Sequence, residues 1–261
     1  MIRVGIGGWV FKPWRGTFYP EGLPQARELE HASRVVTTIE INGTFYGAQK
    51  PASFQRWAAE TPDDFVFSLK GPRFSTHRRI LAEAGSSIER FFASGVVELK
   101  SKLGPILWQM PPTKIFEGED FAAFLALLPQ RLDGRPIRHV VETRHPSFCV
   151  PEFVELMRKF SVAIALIDST AHPLIADVTG DCVYLRLQRT SEEVVTGYPA
   201  EALATWARRA QAWAAGGAPP ELPMLASPSR SKAKRDVFVY MIAGAKVRAP
   251  AAAQALLAKL K

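Results

Sequence analysis

Acidic, basic and aromatic side chains gather where apolar runs of this chain end. In Thr38-Ile39-Glu40-Ile41-Asn42 a carboxylate and a carboxamide lie two residues apart, and Thr44-Phe45-Tyr46 follows at once. Val140-Val141-Glu142-Thr143-Arg144-His145 repeats the layout. Such groups are costly to bury unless they are paired. Strand side chains repeat every two residues, so Glu40 shares a face with Asn42, and Glu142 with Arg144. The chemistry this points to is proton transfer. Glu40 or Glu142 would be the general acid or base, tuned by burial and by neighbouring cations. Lys70, closing the run Phe65–Lys70, would polarise or hold a substrate together with Arg144.

Other strand ends extend the candidate set. Trp9, Asn42, Tyr46, His77 and Gln109 would wall a pocket or orient its ligand, and His145, Asp168 and Arg186 add charge or hydrogen bonding. Gly244, Lys246 and Arg248 precede Pro250 at a strand-to-helix junction, where a close backbone approach and free N–H groups can bind an anion. The acids Glu40, Glu142 and Asp168 nearly balance the bases Lys70, Arg144 and Arg186, so a structural ion-pair network is the competing reading. No cofactor is implied. A single divalent ion held by His77, His145 or His172 with those carboxylates is an alternative, but no H-x-H or H-E-x-x-H spacing supports it.

These residues need a scaffold that brings strand ends together. Eight short apolar runs alternate with amphipathic helical patterns: Arg3–Gly7, Thr38–Asn42, Phe65–Lys70, Pro105–Gln109, His139–Thr143, Ala163–Asp168, Val183–Leu187 and Val237–Ile242. Continuously apolar strands are those covered on both faces in a parallel sheet. Helices are predicted over Pro24–Val35, Pro51–Ala59, Ser87–Lys102, Asp120–Leu128, Pro151–Phe160, Ala200–Ala215 and Pro250–Leu260. The connection Ser169–Asp181 is too short for a full helix, so the sixth crossover should be irregular. The pattern predicts a single-domain α/β chain, a (β/α)8 TIM-type barrel over residues 1–261, with its site at the C-terminal mouth. An open doubly wound sheet is disfavoured, because Gly7-Gly8-Trp9-Val10 is not a dinucleotide-binding loop.

Residues 216–234, rich in Pro, Gly and Ser, read as a flexible loop on the N-terminal face. The net charge of +8 favours anionic partners, and Arg230–Arg235 carries four of the positive charges. Two cysteines exclude a disulfide framework or a cysteine metal cluster. The N-terminus lacks a signal-peptide pattern and no run is long and apolar enough for a membrane span, so a cytoplasmic location without membrane association is expected.

Several segments together resemble the YecE-like family, domain of unknown function 72. They are Gly8-Trp9 with Trp14-x-Gly16-x-Phe18-Tyr19-Pro20, Glu40-x-Asn42-x-Thr44-Phe45-Tyr46, Phe65-x-Phe67-x-x-Lys70 with Thr76-His77, Leu103-Gly104-Pro105-x-Leu107-x-Gln109-x-Pro111, and Glu142-x-Arg144-His145. The resemblance covers nearly the whole chain and implies a TIM-type barrel; it supplies no reaction. Two departures stand out. Many relatives carry Arg-x-His-Gly at the end of the seventh strand, where this chain has Arg186-Leu187-Gln188-Arg189. Relatives often end the eighth strand with an aromatic and Asn residues, where this chain has Met241-Ile242-Ala243-Gly244-Ala245-Lys246.

The resulting expectation is an enzyme that acts on a small anionic metabolite, phosphorylated ones included, by carboxylate acid/base chemistry. Nucleic-acid binding or processing, motivated by charge and aromatics, is the alternative. A non-catalytic ligand sensor is the third.

Overall fold

The computed structural model describes residues 1–228 and 231–261. Eight parallel strands close into a barrel. They are β1 (Ile2–Gly7), β2 (Thr38–Ile41), β3 (Val66–Lys70), β4 (Leu103–Gln109), β5 (His139–Glu142), β6 (Ala163–Asp168), β7 (Cys182–Leu187) and β8 (Asp236–Met241). Each pairs with its sequence neighbour, and β8 pairs with β1, placing Ile2 beside Val237 and Ile6 beside Met241. The helices longer than one turn are α1 (Glu28–Val35), α2 (Pro51–Glu60), α3 (Gly85–Ala93), α4 (Gly118–Ala126), α5 (Pro151–Lys159), α6 (Ala200–Ala214) and α7 (Ala249–Leu260). No helix of the described residues is long and apolar enough to cross a membrane.

The predicted strands match to within two residues, and the β6–β7 connection is irregular as expected. The helix predicted over Ser87–Lys102 is instead two elements. α3 stops at Ala93, and a 3-10 segment, Val96–Lys102, follows. Gly95 makes the break: its φ of 104° is a conformation that ends a helix and that L side chains rarely adopt. A small antiparallel ribbon, Arg131–Leu132 with Arg135–Pro136, precedes β5 and was not predicted.

Alternation along the strands builds two cores. Outward side chains such as Val4, Ile6, Ile39, Phe67, Trp108, Val141, Ile164 and Leu185 pack under the helices. Inward ones, Leu107, Val140, Ala163, Ala165, Cys182, Tyr184, Phe238 and Tyr240, fill the barrel. The two small alanines of β6 leave room for the rings of Tyr184 and Tyr240, whose centroids are 4.9 Å apart. Both tyrosines are fully buried, and their hydroxyls lie 2.8 Å from Ser68 Oγ and Thr38 Oγ1 respectively. The barrel centre is therefore a hydrogen-bonded floor, with the polar strand ends one layer above it.

Candidate functional site at the barrel mouth

The layer above the tyrosines is built by Glu40, Lys70, Gln109, Glu142 and Arg186. Arg186 organises it. Its Nε and Nη2 donate to Glu40 Oε2 and Oε1, each at 3.0 Å, and its Nη1 donates to Glu142 Oε2. Tyr184 adds a 2.8 Å hydrogen bond to Glu40 Oε2. On the other glutamate, Glu142 Oε1 accepts from Gln109 Nε2 at 2.8 Å and from Arg144 Nε at 2.7 Å. Both carboxylates are wholly buried. The bidentate pairing of Arg186 with Glu40 is a strong, charge-assisted arrangement. Burial alone would raise the Glu142 pKa; Arg186, Arg144 and Lys70 together outweigh it and hold it below the ordinary value. For Arg186 burial opposes the charge, but Glu142 and Glu40 push its pKa up.

Lys70 is the exception in this layer. It is 6% exposed, yet among the described residues its ammonium makes no hydrogen bond or ion pair. Its Nζ lies 4.0 Å from the centre of the Phe45 ring. The local sequence explains the contact. Thr44 Oγ1 donates to the backbone oxygens of Lys70 at 2.7 Å and Ile41 at 3.2 Å, docking the single turn Gly43–Tyr46 on the end of β3 and setting Phe45 against the amine. Burial first, then Arg186, lowers the Lys70 pKa to about 8, against the partial opposition of Glu40 and Glu142. The layer thus holds two carboxylates against three cations, Arg186, Arg144 and Lys70.

Arg144 is the second open group. Its Nε is bound to Glu142, while its terminal nitrogens have no partner among the described residues. Two histidines flank the opening. His77 lies with its ring 5.5 Å from that of Phe45, and its pKa is lowered by burial and then by Arg73, Lys70 and Arg144. His172, in the irregular β6–β7 connection, is lowered by burial and then by Arg144.

Other candidates take different places. Trp9 turns outward and packs edge-on against Trp57 at 5.3 Å, so it belongs to the outer core and does not wall the mouth. Asp168 has the outward parity of Ile164 and Leu166; it accepts from Tyr198 at 3.0 Å and lies 3.6 Å from Arg189. Asn42 folds back on its own strand, 3.4 Å from the Glu40 carbonyl. Tyr46 is 67% exposed on the rim, stacked edge-on against Phe45. His145 turns toward the short helix after β5, where its Nδ1 accepts from Ser147 N.

The junction after β8 also differs from expectation. Gly244 has φ +61°, and a Cβ there would meet Thr190 Oγ1 at 2.6 Å and Gln188 O at 2.9 Å, so the close approach is to the β7 loop rather than to a ligand. Lys246 sits over the rings of Phe11 and Trp14 at 4.7 and 5.5 Å, and Arg248 donates to Glu192 O at 3.0 Å. Both cations are engaged in holding loops together.

Among the described residues no three His, Cys, Asp or Glu side chains converge as metal ligands. His31 packs against Phe18 and Tyr19. His139 accepts from Trp108 Nε1 at 3.0 Å in the outer core, where burial lowers its pKa to about 4. A depression of about 530 Å³ lies at the opposite end of the barrel, but its charges are consumed internally: Arg138 pairs with Asp181 and Asp236. Of the basic run Arg230–Arg235, Arg230 lies outside the described residues, and Arg235 donates to Ser231 O at 2.8 Å.

Sequence reasoning did not single out Tyr184. The signal was present: in Tyr184-Leu185-Arg186 the tyrosine shares Arg186's inward face, one layer lower.

A closed parallel eight-stranded barrel whose polar strand ends meet at the C-terminal mouth is the architecture of TIM-barrel proteins. Within that class the chain belongs to DUF72, a protein family of unknown function whose model matches residues 3–261. The UPF0759 protein YunF of Bacillus subtilis (strain 168) is 26% identical over 174 residues, 65% of this chain; the match spans 60% of that relative's length. A DUF72 family protein from Thermotoga maritima has the same fold, with a TM-score of 0.74 at 22% identity, covering 98% of this chain and 97% of that one. Another, from Enterococcus faecalis, gives a TM-score of 0.71 at 16% identity, covering 100% and 95%.

Proposed function

We propose that the protein is an enzyme that binds a small anionic metabolite at the barrel mouth, between Lys70 and Arg144. The observation that carries this reading is the uncompensated charge. Glu40 and Glu142 are satisfied by Arg186, Tyr184, Gln109 and Arg144, whereas among the described residues the Lys70 ammonium pairs with no carboxylate. A largely desolvated cation with no ion pair of its own is a costly arrangement that a bound carboxylate or phosphate would relieve. The terminal nitrogens of Arg144 offer the planar fork that such oxyanions take up in pairs.

Proton transfer falls to Lys70 in this reading rather than to the glutamates. The oxygens of both glutamates are already engaged by Arg186, Tyr184, Gln109 and Arg144. Lys70, at about 8, is close to the operating range of a general acid or base. Glu40 and Glu142 then act on the substrate indirectly, by fixing Arg186 and Arg144.

Calorimetric titration with inorganic phosphate, sulfate and small dicarboxylates tests the site. Saturable binding by the wild type, weakened tenfold or more in Arg144→Gln, is the expected result. Equal affinity in the two proteins would overturn the assignment.

A further inference from the structure

We propose that Lys70 is a nucleophile whose amine condenses with the carbonyl carbon of a small carbonyl-bearing anion, such as a 2-oxo acid, to form an imine, with Arg144 holding the neighbouring carboxylate. The inference rests on the anion-site reading above and narrows its substrate class to anions that also carry an aldehyde or ketone.

Three observations support it. Among the described residues the Lys70 amine has no hydrogen-bond acceptor to keep it an ammonium, and the Phe45 ring faces it at 4.0 Å. A second buried lysine shows the contrast. Lys102 Nζ donates to Ala58 O, Thr61 O and Thr61 Oγ1 at 2.6, 2.7 and 3.3 Å, so all three of its protons are taken. Lysines become nucleophilic when they are desolvated beside other cations, and Arg186 and Arg144 both act on Lys70 in that sense. With a pKa of about 8, roughly a tenth of the amine is neutral at pH 7. Finally, Arg144 reaches the mouth from just beyond the end of β5, and its terminal nitrogens are open to the carboxylate of the same substrate.

The step balances without a further reagent. The neutral amine attacks the carbonyl carbon and a C–N bond forms. One amine proton passes to the former carbonyl oxygen, giving a carbinolamine. That oxygen takes a second proton from solvent and leaves as water, while the nitrogen lone pair closes the C=N bond. The resulting iminium carries the positive charge that the ammonium carried before, so the buried pairing of Glu40 and Glu142 with Arg186 need not change. It also withdraws electrons from bonds next to the former carbonyl carbon, as aldol and decarboxylation steps require.

The test is reductive trapping on the intact protein. Wild type is incubated with pyruvate or glyoxylate and sodium cyanoborohydride, and the adduct is mapped by peptide mass spectrometry. The expected result is a saturable adduct on Lys70, at least tenfold faster than on exposed lysines such as Lys12 and Lys50, with a rate that rises with pH around 8. Neutral acetone should label Lys70 more slowly, and Arg144→Gln should remove the preference for the anion. Adducts distributed over exposed lysines with no excess at Lys70 would overturn the proposal. Lys70→Arg keeps the charge and should lose the fast adduct; undiminished trapping in that variant would also overturn it. If the variant does not fold, site mapping on the wild type decides. Failure to trap with phosphate binding intact removes the imine and leaves the anion site, whereas loss of both removes both.

Discussion

Lys70 carries a cost that the rest of the barrel meets. Its side chain is buried and, among the described residues, its ammonium makes no hydrogen bond or ion pair, so removing the charge should stabilise the protein. Lys70→Met is expected to raise stability at pH 7 by about 2–3 kcal/mol, read by urea denaturation. The pH dependence has a definite sign. The folded pKa, about 8, lies below the ordinary 10.5, so the wild type recovers stability as pH rises from 8 to 10.5, where only the unfolded chain holds the proton. The advantage of Lys70→Met should therefore shrink across that window; an advantage independent of pH would show that the charge is not the cause. Arg186 has the opposite role. Arg186→Met leaves two buried carboxylates facing each other, and a loss of about 3–5 kcal/mol is expected. A variant of wild-type stability would mean that Glu40 and Glu142 find other partners.

At the scale of elements, the mouth depends on turns that hold strand ends and loops in register. Thr44 ties the turn after β2 to the end of β3, and Thr190 Oγ1 donates to Ala243 O at 3.0 Å, tying the β7 loop to the β8 loop. Gly95 performs a similar function on the outside. Its backbone conformation separates α3 from the segment leading into β4, and a Cβ there would lie 2.6 Å from Pro51 Cα at the start of α2. Gly95→Ala should cost roughly 3 kcal/mol from combined strain and overlap. Gly118, at the start of α4, has open space where its Cβ would be, and Gly118→Ala is the matched control, expected to be neutral or slightly stabilising. Thermal melts of the two variants would separate the effects; similar shifts for both would refute the packing argument.

For the whole molecule, closure is the decisive property. The first strand pairs with the last, and the N-terminal amine is 3.0 Å from Asp236 at the start of β8. The inner core is shared by six strands, β3 through β8, so no pair of neighbouring strands buries it alone. Unfolding monitored by tryptophan fluorescence and by far-ultraviolet circular dichroism should therefore give coincident transitions. Separate midpoints would identify a part of the barrel that folds by itself. Closure also brings strand ends distant in sequence, such as Glu40 and Arg186, to 3.0 Å.

The sequence by itself determined the strand count, the alternation with helices, the irregular sixth crossover and the general location of the polar strand ends. Those features follow from apolar runs and two-residue periodicity, which are local. It also contained the grouping of Glu40, Lys70, Glu142, Arg144 and Arg186, because each lies at or just past the C-terminal end of an apolar strand. Only the tertiary structure decided which of them are spoken for. Partnership depends on contacts across the barrel: Arg186 takes both glutamates, Tyr184 rises beneath Glu40, and Lys70 meets an aromatic face instead of a carboxylate. The same contacts turned Trp9 and Asp168 outward and engaged Lys246 and Arg248 in loop packing. Residue type and spacing state which groups arrive at the mouth; the closed sheet fixes which pairs meet there, and so which charges remain for a ligand.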